Sequence, residues 1–274
     1  MLDILTEPES AAAGERADMP FETVAGPADR GLLLIADHAS NAIPPEYGSL
    51  GIPASELERH IAYDIGSAAL TRALAARLGA PAVLSTFSRL LIDPNRGADD
   101  PTLVMRLSDG VVLPGNARID EAEKARRIAR FYAPYHGAIE AAVDAGIAAG
   151  RVPVVFSIHS FTPVWRGWPR PWHAGILWDE DPRFAVPLIE RLREDPALVI
   201  GDNEPYSGAL KNDTLYRHCT RRGIAHALIE VRQDQIADAE GVDAWADRLA
   251  PIVTDLLSSV PDLHELMEYG SRTD

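Results

Sequence analysis

Four apolar runs in this sequence end in side chains of the kinds that bind metals and anions. They deliver His38 and Asn41, then Asp93, Asn95 and Arg96, then His159 and Ser160, and finally Glu230 and Arg232. Polar residues commonly cap buried strands, so one such end means little. Two histidines, a glutamate and two arginines arriving this way mean more. Two imidazoles, an oxygen ligand and a water make a catalytic zinc site, with the open position left for the nucleophile. Zn²⁺ lowers the pKa of such a water to about 7, and a neighbouring carboxylate can take its proton. Arginines close by would recognise a carboxylate by paired hydrogen bonds. Glu230 lies inside Leu228-Ile229-Glu230-Val231, where an unpartnered carboxylate would be costly. Arg232 follows on the same strand face and is one candidate partner. Asp93 is open to two readings, a site residue or a side chain closing the turn before Pro94.

The elements that must position these residues are legible in part. Leu32 to Ala36, then Asp37 and His38, reads as a buried strand running out into a loop. Val152 to Ser160 repeats the pattern, and Ala225 to Val231 is a third such strand. Phe21–Val24, Pro81–Thr86, Leu90–Ile92 and His173–Trp178 are expected as further strands. Helices are expected over Ala54–Gly79, with a capping box at Ser55 and Glu58, and over Asp120–Ala149, Pro182–Arg193, Asp213–Arg222 and Val242–Ser259. Within the first of these, His60 and Asp64 are four apart and would share a face. Residues 97 to 118, rich in Gly, Asp and Pro, read as a long surface loop. Trp165 to Trp172 is too irregular for either periodicity, and its tryptophans could wall a pocket or simply pack. Strands alternating with helices imply a single α/β domain over residues 20–274, with a mixed, mostly parallel sheet covered by helices on both faces. In such sheets, ligands bind past the carboxyl ends of the strands. Residues 1–19, acidic and alanine-rich, read as a flexible tail without the basic start of a secretory signal.

A formal net charge of −15 argues against nucleic acid and anionic membranes as partners, but not against a small anionic substrate met by local arginines. The single cysteine, Cys219, excludes an internal disulfide and fits a reducing, cytoplasmic setting. No apolar run approaches the roughly 20 residues that cross a bilayer. Neither a Gly-x-Ser-x-Gly elbow nor a phosphate-binding Gly-x₄-Gly-Lys-Ser/Thr loop is present, which sets aside the commonest serine hydrolases and NTPases. His136, His218, His226 and His264 lack a comparable context and read as structural or solvated.

The set His38-Ala39-Ser40-Asn41, Ser88-Arg89 with Ile92-Asp93-Pro94-Asn95-Arg96, Ser157-Ile158-His159-Ser160 and Ile229-Glu230-Val231-Arg232-Gln233 resembles the N-formylglutamate amidohydrolase family. The similarity runs from about Pro20 to about Leu257. More distantly, the order of these motifs resembles the zinc carboxypeptidase and aspartoacylase superfamily. The resemblance implies a zinc-carboxypeptidase-like (phosphorylase/hydrolase-like) α/β fold, one Zn²⁺, and hydrolysis of the amide of an N-acyl acidic amino acid such as N-formyl-L-glutamate. It implies His38 and His159 as zinc ligands and Glu230 as general base. Arg89, Asn95 and Arg96 would hold the substrate carboxylate, with Arg232 beside them. The wider superfamily has Glu three residues after the first His, where this chain has Asn41. An Asn carbonyl oxygen is a poorer ligand than the carboxylates usual in catalytic zinc sites. Asp64 is therefore expected on the metal and Asn41 behind it, with Asn41 as the alternative ligand. Two other functions fit the same residues, a zinc peptidase or deacylase of other carboxylate substrates, and a non-catalytic anion-binding protein.

Overall fold

The computed structural model describes residues 19–274. The expected tail therefore lies outside the described residues except for Met19, whose carbonyl accepts a hydrogen bond from the Thr86 hydroxyl at 2.8 Å. Seven strands form the central sheet: β1 (Phe21–Val24), β2 (Leu32–Ala36), β3 (Ala82–Ser85), β4 (Val154–Phe161), β5 (Ala174–Leu177), β6 (Ile200–Asp202) and β7 (His226–Arg232). Their spatial order is β1-β3-β2-β4-β7-β5-β6. The four central strands β3, β2, β4 and β7 run parallel, β1 and β5 join them antiparallel, and β6 lies parallel to β5. This is the mixed, mostly parallel sheet expected from the alternation of strands and helices. The short β6, with Gly201 in its middle, is an addition to the expected set; its sequence carries turn signals rather than a strand pattern.

The period-2 alternation of the strands sorts the core into two layers. Val154, Phe156 and Ile158 of β4, with Ala227, Ile229 and Val231 of β7, face one layer. That layer is closed by α1 (Ser67–Leu78), α3 (Pro182–Arg193) and α5 (Ala239–Ser259). Val155 of β4 and Leu228 of β7 face the other, built from Tyr135, Ile139 and Val143 of α2 and from the apolar residues of the connecting loops. Here α2 denotes the continuous run Glu121–Arg127, Ile128–Tyr132 and Ala133–Ala148. Its middle section is a π-helix. Pro134 comes two residues after its end, and a proline inside a helix lacks the N–H and crowds the carbonyl four residues back; the wider turn relieves this. Four residues after Val155, His159 emerges on the α2 side of the sheet at the carboxyl end of β4.

Several local expectations are corrected. Leu90–Ile92 is a buried turn, with Leu91 N–H donating to Ser88 C=O at 2.9 Å; three apolar residues filled the core without pairing in a sheet. The region 54–79 is not one helix. A single turn, Ala54–Leu57, has Pro53 as its cap and no side-chain capping bond, so the capping box is not formed. The chain then turns until Gly66, at φ +83°, starts α1. His60 and Asp64 therefore share no helix face, and His60 bonds Asp109 instead at 3.2 Å. The expected loop at 97–118 contains a two-stranded ribbon, Leu107–Ser108 with Val111–Val112, and a helical turn, Pro114–Ala117. The irregular tryptophan segment forms a second ribbon, Val164–Trp165 with Trp168–Pro169. Only Thr214–His218 of the expected 213–222 helix is α-helical, and it is α4.

Candidate active site

Three connections bring the polar strand ends together. β2 runs out at Ala36 into Asp37 and His38. β4 carries Ser157 and His159 on one face. β7 lies beside β4 with Glu230 in register with His159. The turn ahead of α1 then closes on them, anchored by Asp64 N–H donating to His38 C=O at 2.9 Å. At Gly66 a Cβ would come within 2.3 Å of the Ile236 carbonyl, so the turn fits only with glycine there. His38, Asp64 and His159 meet as a buried group, each offering one ligand atom, with those atoms within 4.8 Å of one another.

The hydrogen bonds behind this group orient it. His38 Nε2 lies 2.8 Å from Asp93 Oδ1, and His159 Nε2 lies 3.1 Å from Asp37 Oδ2. A carboxylate can only accept, so these contacts place the ring protons on the two Nε2 atoms. The Nδ1 atoms then face Asp64 Oδ2, at 3.4 Å from His38 and at 2.8 Å from His159, and without a metal a second proton on His159 Nδ1 is donated to Asp64. Three electron-rich atoms this close repel unless a proton or a metal cation lies among them. Metal-bound histidines normally give their other ring N–H to a carboxylate, which is the pattern of both rings here. The residues present therefore fit a divalent metal held by two nitrogens and an oxygen.

Asp37 is saturated by its surroundings. Tyr135 Oη donates to it at 3.0 Å, Thr214 Oγ1 at 2.7 Å and Ser157 Oγ at 3.3 Å, besides His159. Against a burial that disfavours its charge, these bonds and the two imidazoles hold Asp37 at about 2. Asp93 is likewise kept well below the usual carboxylate range despite burial, by Arg89, His38 and Arg96. Asp64 is lowered too, His38 and His159 outweighing desolvation. His159 moves the other way: burial opposes its charge, but bonds to Asp37 and Asp64 raise it well above an ordinary imidazole.

Glu230 stands apart from these three acids. Burial raises its carboxyl to about 7, and the charge of Asp64 adds to the effect. Its Oε2 is buried without a hydrogen-bond partner, alone in this among the described residues. Arg232, the partner suggested by its position two residues on, is engaged elsewhere. It bonds Asp234 at 2.7 Å and the carbonyls of Arg170 and Trp172 at 3.1 and 3.2 Å, because β7 ends at this residue and the chain turns away. Asn41 is also displaced from the site. Its side-chain NH₂ donates to Leu57 C=O at 3.0 Å and Glu58 Oε1 at 3.3 Å.

One cavity of about 310 Å³ is lined by His38, Asp64, His159, Glu230, Arg89, Asn95 and Arg96. Seven of the nine candidate positions thus converge, and Arg232 and Asn41 do not. Arg89 already bonds Asp93 at 2.8 and 3.2 Å and approaches Asp64 at 3.6 Å. Arg96 makes no ion pair among the described residues; it donates to the carbonyl of Asn95 at 2.7 Å. Its loop is held from behind by His136, 3.0 Å from Pro94 C=O, and by Tyr132 Oη donating to Arg96 C=O at 2.8 Å. Sequence reasoning placed Asp37 at the strand end without giving it a role, read His136 as structural or solvated, and passed over Tyr132. The signal for Asp37 was its place beside His38, whereas nothing local marked the other two. Asp93 serves both suggested uses, accepting Asn95 N–H at 3.0 Å as a turn does and bonding His38.

The profile of the N-formylglutamate amidohydrolase family matches residues 30–237. The chain belongs to the N-formylglutamate amidohydrolase family. Members of this family are hydrolases of an amide bond, and the match spans every residue of the cavity group. No curated protein matches the chain. Among solved structures, the gene product Atu2144 from Agrobacterium tumefaciens is 35% identical, with a TM-score of 0.84, over 89% of this chain and 97% of that one. An N-formylglutamate amidohydrolase from Ralstonia eutropha JMP134 is 22% identical, with a TM-score of 0.63, over 88% of this chain and 98% of its own; at that identity it speaks for the shared fold. Among the described residues, no helix is long and apolar enough to cross a membrane.

Proposed function

We propose that this amidohydrolase is zinc-dependent and removes an acyl group, formyl foremost, from the nitrogen of an acidic amino acid such as L-glutamate. His38, Asp64 and His159 would hold the metal. The observation that carries the reading is Glu230 Oε2, a buried and unpartnered carboxylate oxygen in the cavity that those three residues line. Zinc there would supply Lewis acidity, polarising the amide carbonyl and acidifying water. Glu230 takes the proton from the attacking water and passes it to the departing amine, a task suited to a carboxyl raised to about 7. Arg96, free of ion pairs among the described residues, anchors the substrate carboxylate, with Asn95 lining the same cavity. Arg89 acts mainly through Asp93 and Asp64, whose negative charge it balances.

The test is metal analysis of the purified protein together with turnover of N-formyl amino acids before and after chelation. About one zinc per chain, and activity lost to chelator and restored by Zn²⁺, is expected. Full turnover by protein shown to be metal-free would overturn the zinc assignment. Arg96→Ala should raise KM at least tenfold with zinc content unchanged, since it deletes a charged partner of a carboxylate. Unaltered kinetics would remove Arg96 from the site.

A further inference from the structure

A substrate with two carboxylates calls for two cations, and the residues that line the cavity leave only one to spare. Of the two arginines among them, Arg89 is occupied by Asp93 and Asp64, and Arg96 remains. Arg96 acts at the side of Asp93 and Asp213, where its charge favours the ionised forms of both against their burial. A second cation stands at the rim on the Tyr206 side. Arg170 directly follows the tryptophan ribbon, and its guanidinium lies over the rings of Tyr206, Phe161 and Trp165 at 5.0, 5.4 and 5.4 Å. Tyr206 and Phe161 line the cavity, as does Thr162, whose carbonyl and hydroxyl oxygens lie 3.4 and 3.5 Å from Arg170 Nη1.

Arg170 is fixed from behind. Its N–H donates to Pro163 C=O at 2.8 Å, and its own C=O accepts from Arg232 Nη1 at 3.1 Å. Arg232, turned away from Glu230, so helps to position Arg170. Ring faces attract a guanidinium electrostatically, yet they offer its N–H donors no acceptor of the kind a carboxylate provides. The two contacts to Thr162 are long, and Arg170 makes no ion pair among the described residues. Tyr206 ties this cation to the reaction centre. Burial raises its phenol first, the charge of Glu230 adds to the rise, and Arg170 opposes it.

We propose that Arg170 receives the side-chain carboxylate of the substrate, between Tyr206 and Thr162, while Arg96 holds the α-carboxylate. This rests on the proposed reading of the site as a hydrolase of N-acyl acidic amino acids, and it names the residue that selects the acidic side chain. A carboxylate there meets a planar, pre-positioned fork of donors. A neutral amide of the same shape forgoes that charged pairing.

The experiment compares kcat/KM of the zinc-loaded enzyme on N-formyl-L-glutamate and N-formyl-L-glutamine, which differ in side-chain charge and little in shape. Wild type should favour glutamate by about tenfold or more, as a site built for a charged partner does. Arg170→Gln should cut that preference by about tenfold, through KM rather than kcat, with zinc content unchanged. Arg170→Lys, which keeps the charge without the planar fork, should restore part of it. Arg96→Ala should instead weaken both substrates alike, because both carry the α-carboxylate. A preference that survives Arg170→Gln, or a loss equal for the two substrates, would overturn the inference and leave the proposed function standing. Equal turnover of the two by wild type would overturn it in the same way. Inactivity on both compounds would sink the proposed function and this inference together.

Discussion

Glu230 and Asp64 are two acids in one cavity with opposite properties. Asp64 is held ionised by two imidazoles, and Glu230 is pushed toward neutrality by burial and by Asp64. Such divergence separates a ligand from a proton carrier. Glu230→Gln keeps the shape but cannot take a proton, so kcat should fall by roughly 10²–10⁴ while zinc content stays near wild type. Loss of the metal instead would make Glu230 a ligand. The third ligand can be decided in the same way. Asp64→Ala should lose zinc, whereas Asn41→Ala, which breaks bonds only to Leu57 and Glu58, should keep it. The reverse pattern, in proteins shown to be folded, would return Asn41 to the metal.

At the scale of elements, α2 and α4 jointly hold the loop that carries Arg96. His136 of α2 stacks on His218 of α4, with Nδ1 to Nε2 at 2.9 Å. Because His136 Nε2 must donate to Pro94 C=O, a neutral His136 accepts at Nδ1 from His218 Nε2, and burial keeps both rings uncharged. Burial is the first cause of their low pKa values, about 3 for His136 and about 4 for His218. An unfolded histidine titrates near 6.5. Between that value and about 4 the unfolded chain binds protons that the folded one refuses, so stability falls as pH is lowered through this window. Above pH 6.5 the contribution is fully present. Urea midpoints measured from pH 7 to 4.5 should drop less steeply in the double variant His136→Gln/His218→Gln than in wild type. The opposite shift of His159 is common to both proteins and cancels. Equal slopes would show that the pair is not the origin of the acid sensitivity.

Across the whole molecule the largest gathering of buried charge is at the site, with Arg127 and the Asp181–Arg183 pair buried elsewhere. Asp37, Asp64, Asp93 and Glu230 meet His38, His159 and Arg89 at one end of the sheet, while the two apolar layers contain the rest of the core. A cation at His38, Asp64 and His159 would join segments from β2, β4 and the turn before α1, groups that the unfolded chain keeps apart. Zinc should therefore stabilise the whole fold. At a hundredfold excess over its Kd the gain is about 2.7 kcal/mol, which for a chain of this size is roughly 5–10 °C in Tm. Melting followed by circular dichroism, with and without Zn²⁺, measures it. An unchanged Tm at saturating zinc would mean that the metal does not bind the folded site.

By itself, the sequence determined the strands that carry His38, His159 and Glu230, because apolar runs and period-2 alternation depend only on neighbours in the chain. It also marked Glu230 as needing a purpose, since a carboxylate within a buried strand is costly wherever that strand sits. The family motifs, being local strings, were equally legible. Partnership was another matter. Asp64 reaches His159 across 95 positions and Asp93 reaches His38 across 55, and no periodicity spans such distances. Arg232 shared a face with Glu230 by spacing, yet the end of β7 turned it toward Asp234. Asn41 stood at the superfamily's ligand position, but a helical turn ending at Leu57 captured its amide. The order β3-β2-β4-β7 put two histidines and a glutamate on adjacent strand ends. Only that assembly could decide which nitrogen faces inward, which acid stays ionised, and which arginine of the cavity is left without an ion pair among the described residues.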